Sequence, residues 1–165
     1  MPELALKTVS SPLGRLLLLA TRDALAGVYL PGQRPPHRPD APECAEPHPV
    51  LDRAADELDQ YFRGRRTGFS TPLAAAGTDF QRAVWNALAA IPFGERRSYM
   101  WVAREIGRPR AFRAVGTANG RNPLPIVVPC HRVVGAHGAL SGYAGGVDVK
   151  RWLLDHERRV VAERN

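Results

Sequence analysis

The hydrophobic pattern changes period once along this chain, and that change limits the folds open to it. Apolar residues fall in short strand-like blocks over the first thirty positions and recur at helical spacing beyond residue 77, so no single repeat spans the molecule. Residues 4–9, 15–20 and 25–30 read as three strands. Ser10-Ser11-Pro12-Leu13-Gly14 makes the first turn, and Arg22-Asp23 lie in the second, which predicts an antiparallel meander. Seven prolines between 31 and 49 then make a loop. Residues 50–62 carry Val50, Leu51, Ala54, Ala55, Leu58, Tyr61 and Phe62 on one side of a helix. A second connection, 64–77, predicts two domains: a small α/β domain over 1–70 and a mainly α domain over 71–165.

The later part opens on Thr78-Asp79-Phe80-Gln81, a capping-box pattern whose hydroxyl and amide satisfy the first free N–H groups. Phe80, Val84, Trp85, Leu88 and Ile91 follow as a core face, and Pro92 ends the run. Ser98 is placed to cap a helix over 99–106, Gly107 to turn the chain, and Pro109 to start a second helix reaching about Asn119. This is the outline of a helix-turn-helix. Its second helix carries Arg110 and Arg113 among Ala111, Ala114, Gly116 and Ala118. The small residues allow close approach to a partner, and the arginines supply charge.

The charge is one-sided in the same region. The net charge is +7, yet residues 1–70 hold nine basic and nine acidic residues, so the whole excess lies beyond them. From Arg96 to Arg132 there are eight arginines and one acid, Glu105, a field suited to phosphates. Of the 23 basic residues, 21 are Arg and 2 are Lys; coding bias explains that ratio but not the placement. No apolar run approaches the ~20 residues of a membrane helix, and no secretory leader is apparent. A cytoplasmic protein with no membrane partner is the expectation, and with no obvious apolar pairing face, a monomer.

Two cysteines, Cys44 and Cys130, make no disulfide framework. Cys130 follows an apolar run, 124–128, that reads as strand-like, and lies beside His131 in the basic part of the chain. A thiol near an imidazole and arginines loses its proton more easily, and the thiolate is the nucleophile. Taken alone, Cys130 also reads as an inert core cysteine. No Cys-x-x-Cys or His-x-x-x-His spacing suggests a metal site, and His37, Cys44 and His48 in the proline-rich loop are a weak cluster. Three functions stay open on these residues: a DNA-acting group transferase, a helix-turn-helix binding module, and a Cys-His hydrolase. The arginine-bearing helix among small residues argues against the last.

Pro129-Cys130-His131-Arg132-Val133 resembles the active-site motif of the O6-alkylguanine-DNA alkyltransferases. Gly77-Thr78-x-Phe80-Gln81 with Val84-Trp85, Ile91-Pro92-x-Gly94 and Ser98-Tyr99 is similar to that family's preceding segment. Arg113-Ala114-Val115-Gly116, Ala118-Asn119-Gly120 and Asn122-Pro123 resemble its DNA-reading helix and following loop. Gly142-Tyr143-x-Gly145-Gly146 and Lys150-x-x-Leu153-Leu154-x-x-Glu157 resemble its closing segment. The likeness covers about residues 77–157 in order and spacing; the first 70 residues agree in outline only.

The resemblance implies a ribonuclease-H-like N-terminal domain before a helical domain with a helix-turn-helix and an active-site cysteine loop. It implies that Cys130 takes the alkyl group from O6 of guanine in duplex DNA, once per chain and irreversibly, with no cofactor and no metal. O4-alkylthymine is a further candidate substrate. By the same resemblance His131 receives the thiol proton, Glu157 orients His131, Asn122 holds the network, and Tyr99 donates a proton to the purine. Arg113 fills the place of the base turned out of the stack, with the helix in the minor groove. Ala114, Arg108, Arg110, Gln81 and Tyr99 are expected at the DNA, and Tyr143, Ala144, Gly145 and Val133 around the base. Phe112 departs from the family pattern, which has a small residue before the arginine, and Ala144 stands where some members carry a hydroxyl.

Overall fold

A computed structural model describes residues 3–35, 43–140 and 143–165. Part of the proline-rich loop, with His37, and also Gly142 lie outside the described residues. The chain divides into two compact units, Met1–Ala76 and Gly77–Asn165.

The first unit is built on the expected meander. Strands β1 (Ala5–Ser11), β2 (Gly14–Ala20) and β3 (Leu25–Tyr29) form one antiparallel sheet in the order β1-β2-β3. Leu6 pairs with Leu19 and Leu18 with Val28, and β2 carries a register irregularity at Leu19/Ala20. At the β1–β2 turn Gly14 takes φ +110, a conformation that favours glycine. Helix α1 (Pro49–Phe62) starts with proline at its first position, and His48 Nδ1 accepts from Leu51 N. Leu51, Ala54, Leu58 and Tyr61 are buried along it, as are Leu6, Leu16, Leu18 and Val28 of the sheet. The domain boundary falls at 76/77 rather than 70/71. Segment 71–76 is tied to the sheet: Leu25 N donates to Pro72 O at 2.8 Å and Ala74 N to Leu25 O at 2.8 Å. Buried Glu57 fastens the approach to that segment. It accepts from Ser70 N, Ser70 Oγ, Thr71 N and Thr71 Oγ1, and pairs with Arg66 at 3.0 Å.

The second unit contains α2 (Asp79–Ala89), β4 (Arg97–Ser98), α3 (Tyr99–Glu105), α4 (Phe112–Gly120), a 3₁₀ turn (Cys130–Arg132), β5 (Val133–Val134) and α5 (Val147–Arg164). The capping box forms: Gln81 N donates to Thr78 Oγ1 at 3.1 Å, and Thr78 N to Gln81 Oε1 at 2.9 Å. Ser98 caps α3 by accepting from Trp101 N at 3.0 Å. The two-residue strands β4 and β5 pair in parallel, a pairing too short to announce itself in the sequence.

Three expectations are corrected here. The second helix of the pair begins at Phe112, not Pro109. Arg108 to Ala111 form a turn closed by Ala111 N to Arg108 O at 2.9 Å, so Pro109 and Arg110 precede the helix. Residues 124–128 are a buried turn rather than a strand. Val128 N closes on Leu124 O at 2.8 Å and Ile126 takes φ +74, strained for a β-branched residue. Their apolar run reflects burial, which a strand and a buried loop share. The last helix, which Trp152, Leu153 and Leu154 place at roughly 147–157 in the sequence, continues to Arg164, with Val160 buried along the added turns.

Candidate active site

The strained turn delivers Cys130. Asn122 holds that turn from inside: its Nδ2 donates to Val128 O at 2.9 Å and its Oδ1 accepts from Leu124 N at 3.0 Å. The Cys130 carbonyl accepts from Asn119 Nδ2 of α4 at 3.3 Å. The thiol is therefore referenced both to its own loop and to the helix that follows the turn at Gly107.

Cys130 and His131 are both buried. His131 Nε2 lies 2.6 Å from Glu157 Oε2, and its Nδ1 is buried without a protein partner among the described residues. Glu157 also accepts from Arg132 Nε at 2.8 Å, Arg132 Nη2 at 3.0 Å and Gly94 N at 3.0 Å. Arg132 is itself held, with Nη1 donating to Ile91 O at 2.7 Å and its guanidinium 5.6 Å from the Phe93 ring centre. A buried Arg–carboxylate pair of this kind orients, because both partners are fixed by further hydrogen bonds.

The electrostatics follow from these contacts. Burial pushes the Cys130 thiol up to about 11, while the Asn122 amide and the Lys150 charge pull it back. Burial holds the His131 imidazole below its ordinary value, against the pull of Glu157 and with the help of Arg132 and Lys150. Burial opposes ionisation of Glu157, but His131 and Arg132 outweigh it and keep that carboxyl well below the usual range. At neutral pH the imidazole is thus neutral and the carboxylate charged. Nε2–H then donates to Glu157, which leaves the Nδ1 lone pair as a base.

Around this core, Tyr99 opens α3 with its ring 5.9 Å from Lys150 Nζ. Tyr143 is buried with an unpartnered hydroxyl among the described residues, and burial together with the Cys130 and Glu157 charges raises its phenol. Val133 is fully buried in β5, Gly145 is half-buried and Ala144 exposed. On α4, Val115, Ala118 and Asn119 face inward, while Phe112, Arg113, Ala114 and Thr117 face out. The Trp85 indole N–H fixes α4 to α2 by donating to Ala118 O at 2.9 Å. Arg108 and Arg110 are exposed on the turn, and Arg113 lies 6.0 Å from the Phe112 ring centre. Gln81 spends its side-chain oxygen on the α2 cap. Cys44 is half-buried in the first unit.

Three residues of the site carry no role in the sequence reading: Asn119, Arg132 and Lys150. Asn119 leaves no signal beyond being polar on an inward helix face. Arg132 follows the Cys-His pair, where a further charge reads as part of the basic excess. Lys150 does leave a signal, since it is one of two lysines among 23 basic residues.

The architecture is that of a two-domain protein whose second, helix-turn-helix-bearing domain buries a Cys-His-Glu constellation. Comparison with known proteins narrows this further. Residues 5–75 match the family model described as 6-O-methylguanine DNA methyltransferase, ribonuclease-like domain, and residues 79–159 the one described as its DNA binding domain. A methylated-DNA–protein-cysteine methyltransferase of Methanosarcina acetivorans is 46% identical over 148 residues, covering 89% of this chain and 94% of that one. One of the same name from Mycolicibacterium paratuberculosis is 49% identical over 154 residues, covering 93% and 92%. The crystal structure of Mycobacterium tuberculosis OGT in complex with DNA superposes with a TM-score of 0.83 at 44% identity, covering 94% of both chains. The chain belongs to the 6-O-methylguanine DNA methyltransferase family, with a ribonuclease-like domain followed by a helical DNA-binding domain.

Proposed function

We propose that this protein repairs DNA by direct reversal, moving the alkyl group from O6 of guanine in duplex DNA onto Cys130. The observation that carries the reading is the buried Cys130-His131-Glu157 constellation with a free Nδ1 lone pair, in a domain that carries a helix-turn-helix. His131 Nδ1 takes the thiol proton, directly or across one water, and Glu157 stabilises the imidazolium. The thiolate sulfur attacks the alkyl carbon, the carbon–O6 bond breaks, and its electron pair goes to the purine. The Tyr99 hydroxyl supplies a proton to the ring as that charge develops, and recovers one afterwards from solvent or the imidazolium. The products are an S-alkyl cysteine and intact guanine. A thioether has no good leaving group under cellular conditions, so each chain reacts once.

The target atom lies inside the stack, so the base is turned out at a cost of a few kcal/mol. The outward face of α4 suits base extrusion, with Arg113 filling the vacated place and Ala114 permitting close approach in the minor groove. Arg108 and Arg110 neutralise phosphates, which serves a protein that must act at any guanine. Tyr143, Gly145, Ala144 and Val133 shape the base pocket. The constellation is complete within one chain, which supports action as a monomer.

Intact-mass spectrometry with peptide mapping tests the reading, after incubation with duplex DNA bearing O6-methylguanine. The expected result is one added methylene mass on Cys130, saturating at one per chain, and none in Cys130→Ala, which still binds DNA. An unmodified protein that binds the lesion would make it a recognition module instead.

A further inference from the structure

The turn after α2 meets both charges of the buried pair. Ile91 O accepts from Arg132 Nη1 at 2.7 Å, and Gly94 N donates to Glu157 Oε1 at 3.0 Å. One short stretch of backbone thus offers a carbonyl to the cation and an N–H to the anion. Phe93, between the two, has its ring centre 5.6 Å from the Arg132 guanidinium. Glu95 N closes the turn on Pro92 O at 3.1 Å. The chain then enters β4, where Arg97 pairs with Val133, the residue after Arg132.

Two observations say that position 94 requires glycine. Its φ is +81, in the left-handed region that favours glycine. A Cβ there would lie 2.6 Å from Val161 Cγ2. Val161 stands on α5, one turn beyond Glu157, and a β-branched side chain on a helix has little rotamer freedom with which to give way. With no side chain at 94, the turn comes close enough to α5 for its N–H to reach the carboxylate.

The contacts are divided between the two carboxylate oxygens. Oε1 accepts from Arg132 Nε at 2.8 Å and from Gly94 N. Oε2 accepts from Arg132 Nη2 at 3.0 Å and lies 2.6 Å from His131 Nε2. Arg132 spans both oxygens, whereas Gly94 holds Oε1 and so opposes any rotation that would carry Oε2 off His131. A backbone donor suits this task. Its direction is set by the turn, it has no rotamer to lose, and it carries no net charge to repel an imidazolium forming beside it.

We infer that Gly94 is a positioning residue for the reaction: its peptide N–H pins Glu157 Oε1, so that Oε2 stays on His131 Nε2 and leaves Nδ1 as the base. The inference rests on the alkyl-transfer reading for its purpose but not for its test.

The test removes that N–H alone. Cell-free synthesis places glycolic acid at position 94 of the full chain with Cys44→Ser, so an ester oxygen replaces the N–H and Cys130 is the sole thiol. The chain is labelled with ¹⁵N-histidine, and the His131 Nε2–H signal is assigned by its loss in His131→Gln. A proton in so short a bond to a carboxylate resonates far downfield. In the ester chain this proton is expected to move upfield, and carboxamidomethylation of Cys130 by iodoacetamide at pH 7 to slow about tenfold, as for other supporting partners of a reactive group. An unmoved proton in a folded ester chain overturns the inference, even if alkylation is slower, because Gly94 would then act on something other than the Glu157–His131 bond. If the ester chain does not fold, Gly94→Ala and its combination with Val161→Ala decide. The upfield shift is expected in Gly94→Ala, to be smaller once Val161→Ala removes the clash, and to be absent in Val161→Ala alone. A proton at its wild-type position in Gly94→Ala overturns the inference. Every arm is read without DNA, so failure of the positioning role and failure of the function are distinguishable.

Discussion

Replacing Glu157 by Gln isolates the charge at the centre of the site with almost no change in volume. The carboxylate accepts from Arg132 Nε and Nη2, His131 Nε2 and Gly94 N, all at 3.0 Å or less. The amide keeps one acceptor oxygen and turns the other position into a donor aimed at a donor. Arg132, about 5% exposed, keeps the Ile91 carbonyl but loses its anion. Breaking a buried ion pair from one side costs about 3–5 kcal/mol, and a lost imidazole tautomer slows triad-type chemistry by about 10⁴. All three tryptophans, Trp85, Trp101 and Trp152, lie in the second unit, so their fluorescence during guanidinium unfolding reports it. The expected result at pH 7 is a loss of about 3–5 kcal/mol together with near-complete loss of methyl transfer. The pH dependence has a definite sign. The Glu157 carboxyl is depressed by folding, so its contribution is fully present above the ordinary value of 4.5 and disappears as pH falls through the folded one. The gap between wild type and Glu157→Gln must therefore narrow in acid. A loss below about 1 kcal/mol at pH 7, or a gap that does not depend on pH, would refute the argument.

Three other outcomes are expected. Asn122→Ala removes both braces of the strained turn and a donor to the thiolate, so unfolding free energy falls by about 2 kcal/mol and the Cys130 alkylation midpoint rises. Denaturant titration and a pH–rate profile check the two parts. Arg113→Ala slows transfer from duplex DNA by about tenfold or more, the cost of an unfilled stack, while transfer from the free modified base is unchanged; single-turnover rates on both substrates decide. Glu57→Gln affects the first unit alone. Burial opposes the Glu57 charge, yet bonds from Thr71 and Ser70 hold it at about 2, so its contribution of about 3 kcal/mol is present above pH 4.5 and lost toward pH 2. Amide exchange at residues 70–71 is expected to rise in Glu57→Gln at pH 7 but not at pH 2.

Local rules carry much of the fold. The meander, the Pro49-led helix, the Thr78–Gln81 box and the Ser98 cap all depend on residues within a few positions of one another, and the sequence spells out each. The expectations fail where a local signal has two meanings. An apolar run at 124–128 fits a strand or a buried turn equally, and Pro109 suits a tight turn as well as a helix start.

The order of residues alone establishes which groups are present: one thiol in a Pro-Cys-His-Arg-Val setting, an arginine-rich helix pair, and a glutamate 27 residues further on. Folding sets what those groups are chemically. It brings Glu157 to 2.6 Å from His131, closes Arg132 over that carboxylate, and buries both Cys130 and Lys150. Protonation depends on desolvation and on charges within a few ångströms. Those neighbours come from α5 and from the turn after α4, segments far apart in sequence, so no local reading of either could assign them.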